Sequence, residues 1–154
     1  MIDLKKLRET ILECKEAIPE INSAKWVSSD DRLTDKLEKH KSSDNTMLLC
    51  VTPAFGGFKQ DVDNGGYRSY LQFFILNKID YKTTDPEDVQ IELQPIVQTF
   101  LHTLSTKETN GCLSFRNLDW SSISVLPIAN KANCCGWEVQ ITDKSYTGID
   151  GRTE

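Results

Sequence analysis

The sequence predicts an α+β domain, in which one antiparallel sheet of about four strands carries two main helices on one face, in the order α-β-β-α-β-β. Two long segments repeat apolar residues every three or four positions, which predicts amphipathic helices. Two pairs of apolar segments, each pair joined by a polar stretch, predict β-hairpins. A chain of 154 residues fits one domain, so residues 1–143 are assigned to it and residues 144–154 to a polar tail.

The first segment is predicted to be an amphipathic helix with a narrow apolar stripe. Asp3 is placed to cap the helix and Pro19 to end it. Basic and acidic residues mix on the other faces, which indicates a solvated surface rather than one for a membrane or nucleic acid. The stripe consists of Leu4, Leu7, Ile11, Cys14 and Ile18.

The region that follows carries weaker patterns. Residues 21–27 are predicted to form a short edge strand, and Leu33 with Leu37 indicates one or two helical turns. The charged run from Lys36 to Lys41, which includes His40, is expected to be a solvated linker.

The stretch FGGFKQDVDNGGYR, residues 55–68, joins a strand over residues 46–53 to a strand over residues 68–81. It lacks the GxxxxGK[ST] spacing of a phosphate loop, and a calcium loop starting at Asp61 would need Glu where Gln72 stands. Its Gly pairs supply turn residues, so the stretch is interpreted as the tip of an extended hairpin. A loop that contacts a partner is the alternative.

The strand that leaves this loop is apolar on both faces from Leu71 to Ile79. A half-exposed antiparallel strand should alternate, so this one is either covered on both faces or covered on one face by a second copy. Because two helices cover only one face of a sheet, we expect a second copy to cover the other.

A second helix is predicted to begin in TTDPEDV, where Thr84 or Asp85 caps it and Pro86 takes the first helical position. Pro95 lies inside the helix and predicts a kink near Ile91 or two abutting helices. The apolar stripe consists of Leu93, Ile96, Val97, Phe100, Leu101 and Leu104.

The last two segments predict the second hairpin. SSISVLPI, residues 121–128, turns Ile123 and Val125 inward between serines, and the polar turn ANKAN follows. GWEVQITD, residues 136–143, then alternates two sets of side chains. Trp137, Val139 and Ile141 are predicted to point inward, and Glu138, Gln140 and Thr142 outward.

The net charge and the length of the apolar runs exclude several classes of function. With 18 Lys plus Arg against 23 Asp plus Glu, the net charge is −5, which is opposite in sign to a phosphate-backbone binder, so no direct nucleic-acid partner is expected. No apolar run approaches the ~20 residues that cross a bilayer, and MIDLKKLRE has no signal-peptide core. A cytoplasmic protein without a membrane partner is expected.

No motif in the sequence predicts a catalytic, cofactor-binding or metal-binding residue. The five Cys include no CxxC pair, and reduced, mostly buried thiols are expected. The GxSxG, HExxH and GxGxxG signatures are missing, and the two His stand apart from each other. The alternative is a small enzyme or ligand-binding domain whose pocket, between helices and sheet, has Cys134, Cys135 or His102 at its rim.

The chain resembles phage and prophage tail-terminator or tail-completion proteins, which join the head to the tail. The resemblance rests on the element order and on three stretches: FILNKIDYKTTDPED, IVQTFLHTL and ISVLPIANKANCCGWEVQITD. It implies a non-enzymatic ring of identical subunits, commonly six, that contacts other virion proteins. The residues expected to contact partners are Phe55, Phe58, Asp61, Asp63, Tyr67, Tyr70 and Phe74.

Overall fold

The computed structural model of the chain describes residues 2–59, 65–109 and 117–145. Within them the chain forms three α-helices and five strands, so the α+β class is confirmed, whereas the four-stranded sheet with two helices is not. The elements are α1 (Leu4–Ala17), β1 (Ser23–Val27), α2 (Leu33–Lys39), β2 (Met47–Lys59), β3 (Gly65–Lys78), α3 (Pro86–Thr109), β4 (Leu118–Lys131) and β5 (Cys134–Ser145).

The five strands form one mixed sheet in the order β1-β2-β3-β5-β4. β1 runs parallel to β2, with Trp26 opposite Cys50, and the other neighbours are antiparallel. The predicted edge strand over residues 21–27 is therefore present, but the all-antiparallel prediction is wrong. Parallel neighbours need a crossover connection, and here the segment that contains α2 supplies it.

One face of the sheet packs against α1 and α3. The rings of Phe73 on β3 and Phe100 on α3 meet edge to face, with their centroids 5.3 Å apart. The buried residues of this layer come from both predicted helical stripes and from alternate positions of the strands. They include Leu7, Ile11, Cys14, Leu48, Cys50, Leu71, Ile75, Val97, Leu104, Val139 and Ile141.

The opposite face packs against α2, which corrects the expectation that a second copy covers it. Leu33 and Leu37 lie one helical turn apart, so both reach the sheet, where Phe74 and Leu76 are 0% exposed. The rest of this layer comes from β1, β2 and the start of β5. The apolar strand is thus shielded on both faces by the chain itself, because one short helix suffices. The helical turns predicted at Leu33 and Leu37 are confirmed, whereas the linker predicted from Lys36 to Lys41 is wrong where α2 occupies it.

The ends of α1 and α3 follow the predicted capping. Asp3 Oδ1 accepts hydrogen bonds from the backbone N–H groups of Lys5 and Lys6, at 2.9 and 3.2 Å. Of the two predicted caps of α3, Asp85 is the one whose Oδ1 accepts from a first-turn N–H. α3 continues through Pro95, so the expectation of two abutting helices is wrong. Leu4 is 41% exposed and lies outside the buried stripe of α1.

The β4–β5 hairpin turns at Ala132 and Asn133, both of which have positive φ. This is the pattern of a type I′ turn, which matches the twist of the flanking strands. β4 is an edge strand, so Val125 is 38% exposed, and the prediction that it points into the core is wrong. Glu138, predicted to face solvent, is only 9% exposed.

Candidate functional site

The predicted contact residues are divided between the surface and the core. Phe55, Tyr67 and Tyr70 lie on β2 and β3 and are 38%, 42% and 47% exposed. Phe74 is completely buried beneath α2, so it is inaccessible to a partner in this fold, contrary to the role predicted for it. The remaining three predictions, Asp61, Asp63 and the side chain of Phe58, fall outside the described residues.

The hairpin prediction for the stretch around these aromatics is confirmed. β2 and β3 pair continuously to Lys59 opposite Gly65, with one register shift between Val51 and Ala54. Gly56 and Gly57 belong to β2 itself rather than to a flexible tip.

Three strands have an edge without a neighbouring strand in the described part of the chain: β1 along its outer side, β2 beyond the end of β1, and β4. β1 pairs with β2 only as far as Val51, so the outer edge of β2 is open from Thr52 to Lys59. The side chain of Thr52 ends the pairing: it accepts a hydrogen bond from Trp26 Nε1 at 3.0 Å and donates to the Val27 carbonyl at 3.2 Å. At the other side of the sheet, β4 is open along its outer edge.

A cavity of about 600 Å³ lies on the α2 face of the sheet, beyond the part that α2 covers. It spans β2, β3, β5 and β4, and all its lining residues are uncharged. Most of the polar ones are hydroxyl or amide side chains. The lining includes Ser28, Ser29, Thr52, Tyr70, Gln72, Ser122, Gln140 and Thr142. Its volume is within the range of sites for small ligands.

A buried carboxylate stands next to this cavity. Glu138 Oε1 accepts hydrogen bonds from Gln72 Nε2 at 2.7 Å and from Gln140 Nε2 at 2.6 Å. Both glutamines line the cavity, and Gln72 is the cross-strand partner of Gln140. The carboxylate therefore fixes the orientation of two amide groups on the cavity floor.

A second polar cluster lies at the C-terminal end of α2 around His40, which is 1% exposed, so the expectation of a solvated His40 is wrong. Its Nδ1 lies 3.2 Å from Lys25 Nζ, and its Nε2 lies 2.9 Å from Asn45 Oδ1. Burial lowers the pKa of His40, and burial also lowers the pKa of Lys25. Asn45 also bonds both backbone polar groups of Lys78, so the cluster joins α2 to the sheet.

The residues of the enzymatic alternative do not converge. Cys134 is buried in the α2 layer and Cys135 in the α3 layer, since successive strand residues point to opposite faces. Burial raises the pKa of the Cys134 thiol, and it raises that of Cys135 to about 11. His102 is exposed on α3, and none of the three lines the cavity.

Over residues 2–59, 65–109 and 117–145, no group of three or more His, Cys, Asp or Glu side chains could hold a metal ion. Within the same ranges, no helix is long and apolar enough to cross a bilayer. No protein-family model matches the chain, and no curated protein matches it.

Sequence reasoning missed the Glu138–Gln72–Gln140 cluster. Glu138 and Gln140 were predicted to point outward, and no position was predicted for Gln72. Gln140 is exposed as predicted, whereas Glu138 is buried. The available signal was the spacing of Glu138 and Gln140, which puts both on one face of a strand. Finding Gln72 beside them required the register between β3 and β5, which the single sequence does not contain.

Proposed function

We propose that the protein is a non-enzymatic structural protein of virion or prophage assembly, of the tail-terminator or head–tail joining type. It acts by self-association and by contacts with other virion proteins, without binding nucleic acid or a membrane directly. The similarity of the three stretches quoted above motivates the virion context, whereas the predicted element order is not the one that the structure has. The contacts themselves are argued from the open edges of the sheet.

The observation that carries the proposal is the open edge of β4. This strand runs from Leu118 to Lys131 with no outer neighbour among the described strands, and Val125 and Leu126 are 38% and 43% exposed on it. A long edge with unpaired backbone groups and apolar side chains is a template for pairing with another chain. Adding a strand to such an edge is a common mode of protein recognition.

The second open edge gives β4 a complementary surface on another copy. β2 and β5 run in one direction and β4 in the other, because each of the pairs β2–β3, β3–β5 and β5–β4 is antiparallel. β4 of one copy is therefore antiparallel to β2 of the next when the two sheets continue side by side. The open segment of β2 from Thr52 to Lys59, which carries Phe55, is the matching edge.

Such a contact joins two different edges and is heterologous. Heterologous contacts repeat from copy to copy and form a closed ring when the rotation between neighbours divides a full turn. The ring implied by the tail-terminator resemblance is an arrangement of this kind.

A substitution that introduces a charge on the β4 edge tests the proposal. Leu126→Lys places an ammonium on the edge strand, a device by which natural proteins prevent edge pairing. Ile91→Lys is the matched control, because Ile91 is 69% exposed on α3 and lies on neither edge. Sedimentation velocity over a range of concentrations should show self-association of the unchanged chain and of the control, and loss of it in Leu126→Lys.

Two results would contradict this account. One is a chain that stays monomeric at every concentration, also in the presence of the neighbouring virion proteins encoded beside it. The other is equal self-association of Leu126→Lys and the control, because the β4 edge would then play no part.

A ligand-binding role is the second candidate, and the cavity on the α2 face favours it. Its lining combines hydroxyl and amide side chains with the apolar residues Val51, Ala54, Leu71 and Ile141. Glu138 orients the side-chain amides of Gln72 and Gln140. Titration with small polar ligands, monitored by chemical-shift changes of Gln72 and Gln140, would support this candidate even if the chain proved monomeric.

A further inference from the structure

Glu138 is a charged side chain in an unusual place. It lies on β5, across from Phe74 on one side and Leu126 on the other, at the boundary between the part of the sheet under α2 and the open cavity. It is only 9% exposed. Burial of a carboxylate is costly unless the charge is paired, so proteins place such groups where a cation or a set of donors meets them.

No cation within the described residues meets Glu138. None of the described Lys or Arg side chains lies within ion-pair distance of it; the ion pairs in these ranges include Lys107–Glu13 and Lys144–Asp119. Lys131 reaches the same face of the sheet, but its ammonium lies over the ring of Phe74, 5.2 Å from the centroid. The carboxylate keeps only the two amide donors on Oε1.

The second oxygen of Glu138 receives no hydrogen bond from any described residue, and neither do the carbonyl oxygens of its two glutamine partners. Because Gln72 and Gln140 both turn their Nε2 toward Glu138, their Oε1 atoms turn away from it. The cavity is thus lined by two amide acceptors, and the negative charge of Glu138, which is not itself a lining residue, lies within hydrogen-bond distance of both glutamines. These acceptors call for a ligand with several donors and a positive charge.

Tyr70 adds an aromatic ring to the same cavity. Its side chain is 47% exposed and lines the cavity two residues before Gln72, on the same face of β3. The ring lies over Gly56 of β2, where an added Cβ would come within 3.4 Å of it. The ring lies at the other end of the cavity from Glu138, because Glu138 is opposite Phe74, which is four residues, or roughly 13 Å, along β3 from Tyr70.

We propose that this cavity binds the guanidinium group of an arginine side chain presented by a partner protein of the assembly. Glu138 supplies the counter-charge, and Gln72 and Gln140 supply carbonyl acceptors. Arginine fits better than lysine because its planar group carries five donors, whereas an ammonium is a compact point charge. The source of the arginine rests on the proposed function, but the affinity for guanidinium does not.

Model compounds test the site without the partner. N-acetyl-arginine amide, titrated into the full chain and followed by ¹⁵N–¹H chemical shifts, should shift the side-chain amides of Gln72 and Gln140. N-acetyl-citrulline amide is the matched control ligand, because it has nearly the same shape without the charge. We expect citrulline to bind at least tenfold more weakly than arginine, and the lysine analogue to bind more weakly than arginine.

Variants test the residues. Glu138→Gln keeps the side-chain volume and removes the charge, and it should weaken arginine binding roughly ten- to hundredfold, the usual range for a lost charged hydrogen bond. Glu20→Gln makes the same charge change at an exposed position far from the cavity and should leave the affinity unchanged.

Equal binding of arginine and citrulline, or unchanged arginine binding in Glu138→Gln, would overturn the proposal. If Glu138→Gln fails to fold, the arginine-to-citrulline ratio of the unchanged chain decides alone. Arginine binding that persists in a chain that never self-associates would retain the site and reject only the assembly context. Self-association of a chain that binds arginine and citrulline equally would retain the assembly context and reject the arginine site.

Discussion

His40 Nδ1 lies 3.2 Å from Lys25 Nζ, so a buried imidazole accepts a hydrogen bond from the ammonium of a neighbouring strand. That geometry requires the neutral form of the ring with its proton on Nε2, which donates to Asn45 Oδ1 at 2.9 Å. The pair links the end of α2 to the edge strand β1. A proton added to His40 would place two positive charges in contact within a buried site.

The stability of the fold should therefore fall in mild acid. Burial holds the folded-state pKa of His40 below its ordinary value of 6.5, so the unfolded chain binds the proton more readily. The stabilisation is present above pH 6.5 and is lost as the pH falls from there toward the folded pKa. Urea unfolding at pH 7.5 and at pH 5.5 should show a lower free energy of unfolding at the lower pH.

His40→Gln should remove this part of the pH dependence, while the exposed His102→Gln should keep it. The slope of the free energy of unfolding against pH is compared between the two variants, so that the contribution of the carboxylates, which both variants share, cancels. Equal slopes in both variants would show that His40 does not titrate with folding.

Gly136→Ala should destabilise the protein by about 2–3 kcal/mol or more. Gly136 has a φ of +146°, and a Cβ added there would lie 2.2 Å from the Ile75 carbonyl oxygen and 2.9 Å from Leu93 Cδ1. Gly57→Ala is the matched control, since an added Cβ meets nothing within 4 Å there. Thermal unfolding should show a large fall in Tm for the first variant and little change for the second.

Ala132→Gly should stabilise the protein by about 0.5–1 kcal/mol, because Ala132 has a φ of 52°, where a Cβ is unfavourable. Ala129→Gly, on the exposed part of β4, should have the opposite sign, since glycine there adds only freedom to the unfolded chain. A gain in Tm for both variants, or for neither, would mean that the turn does not hold Ala132 in this conformation.

The described thiols should be inert in the native protein. Cys14, Cys50, Cys134 and Cys135 are each 0% exposed, and burial raises the pKa of Cys14 to about 11. A Cys112→Ser variant should show no fast reaction with Ellman's reagent at pH 8, and four thiols should react after denaturation. One fast-reacting thiol in the folded variant would favour the enzymatic alternative.

Much of the fold follows from periodicity. The stripes of the two long helices, the cap at Asp3 and the turn between the last two strands are local features, because their signals lie within a few residues of the sequence. The parallel pairing of β1 with β2 is not local, since strands 20 or more residues apart meet only through the fold.

The largest error concerned α2. Leu33 and Leu37 indicated one or two helical turns, but the charged run from Lys36 to Lys41 was interpreted as a solvated linker. Tertiary packing instead makes Leu33–Lys39 a helix that shields Phe74 and Leu76. The candidate site was missed for the same reason, because the burial of its residues depends on tertiary packing. Glu138 looks solvated in the sequence, and its burial follows only from the neighbours that the strand register provides.

All three tryptophans of the chain, Trp26, Trp120 and Trp137, pack against the layer formed by α1 and α3, whereas the α2 layer contains none. Intrinsic fluorescence will therefore report mainly on the two-helix side of the molecule. Detachment of α2 alone would change the emission little. A melting curve recorded by fluorescence would then show a single step, although the residues beneath α2 had already become exposed.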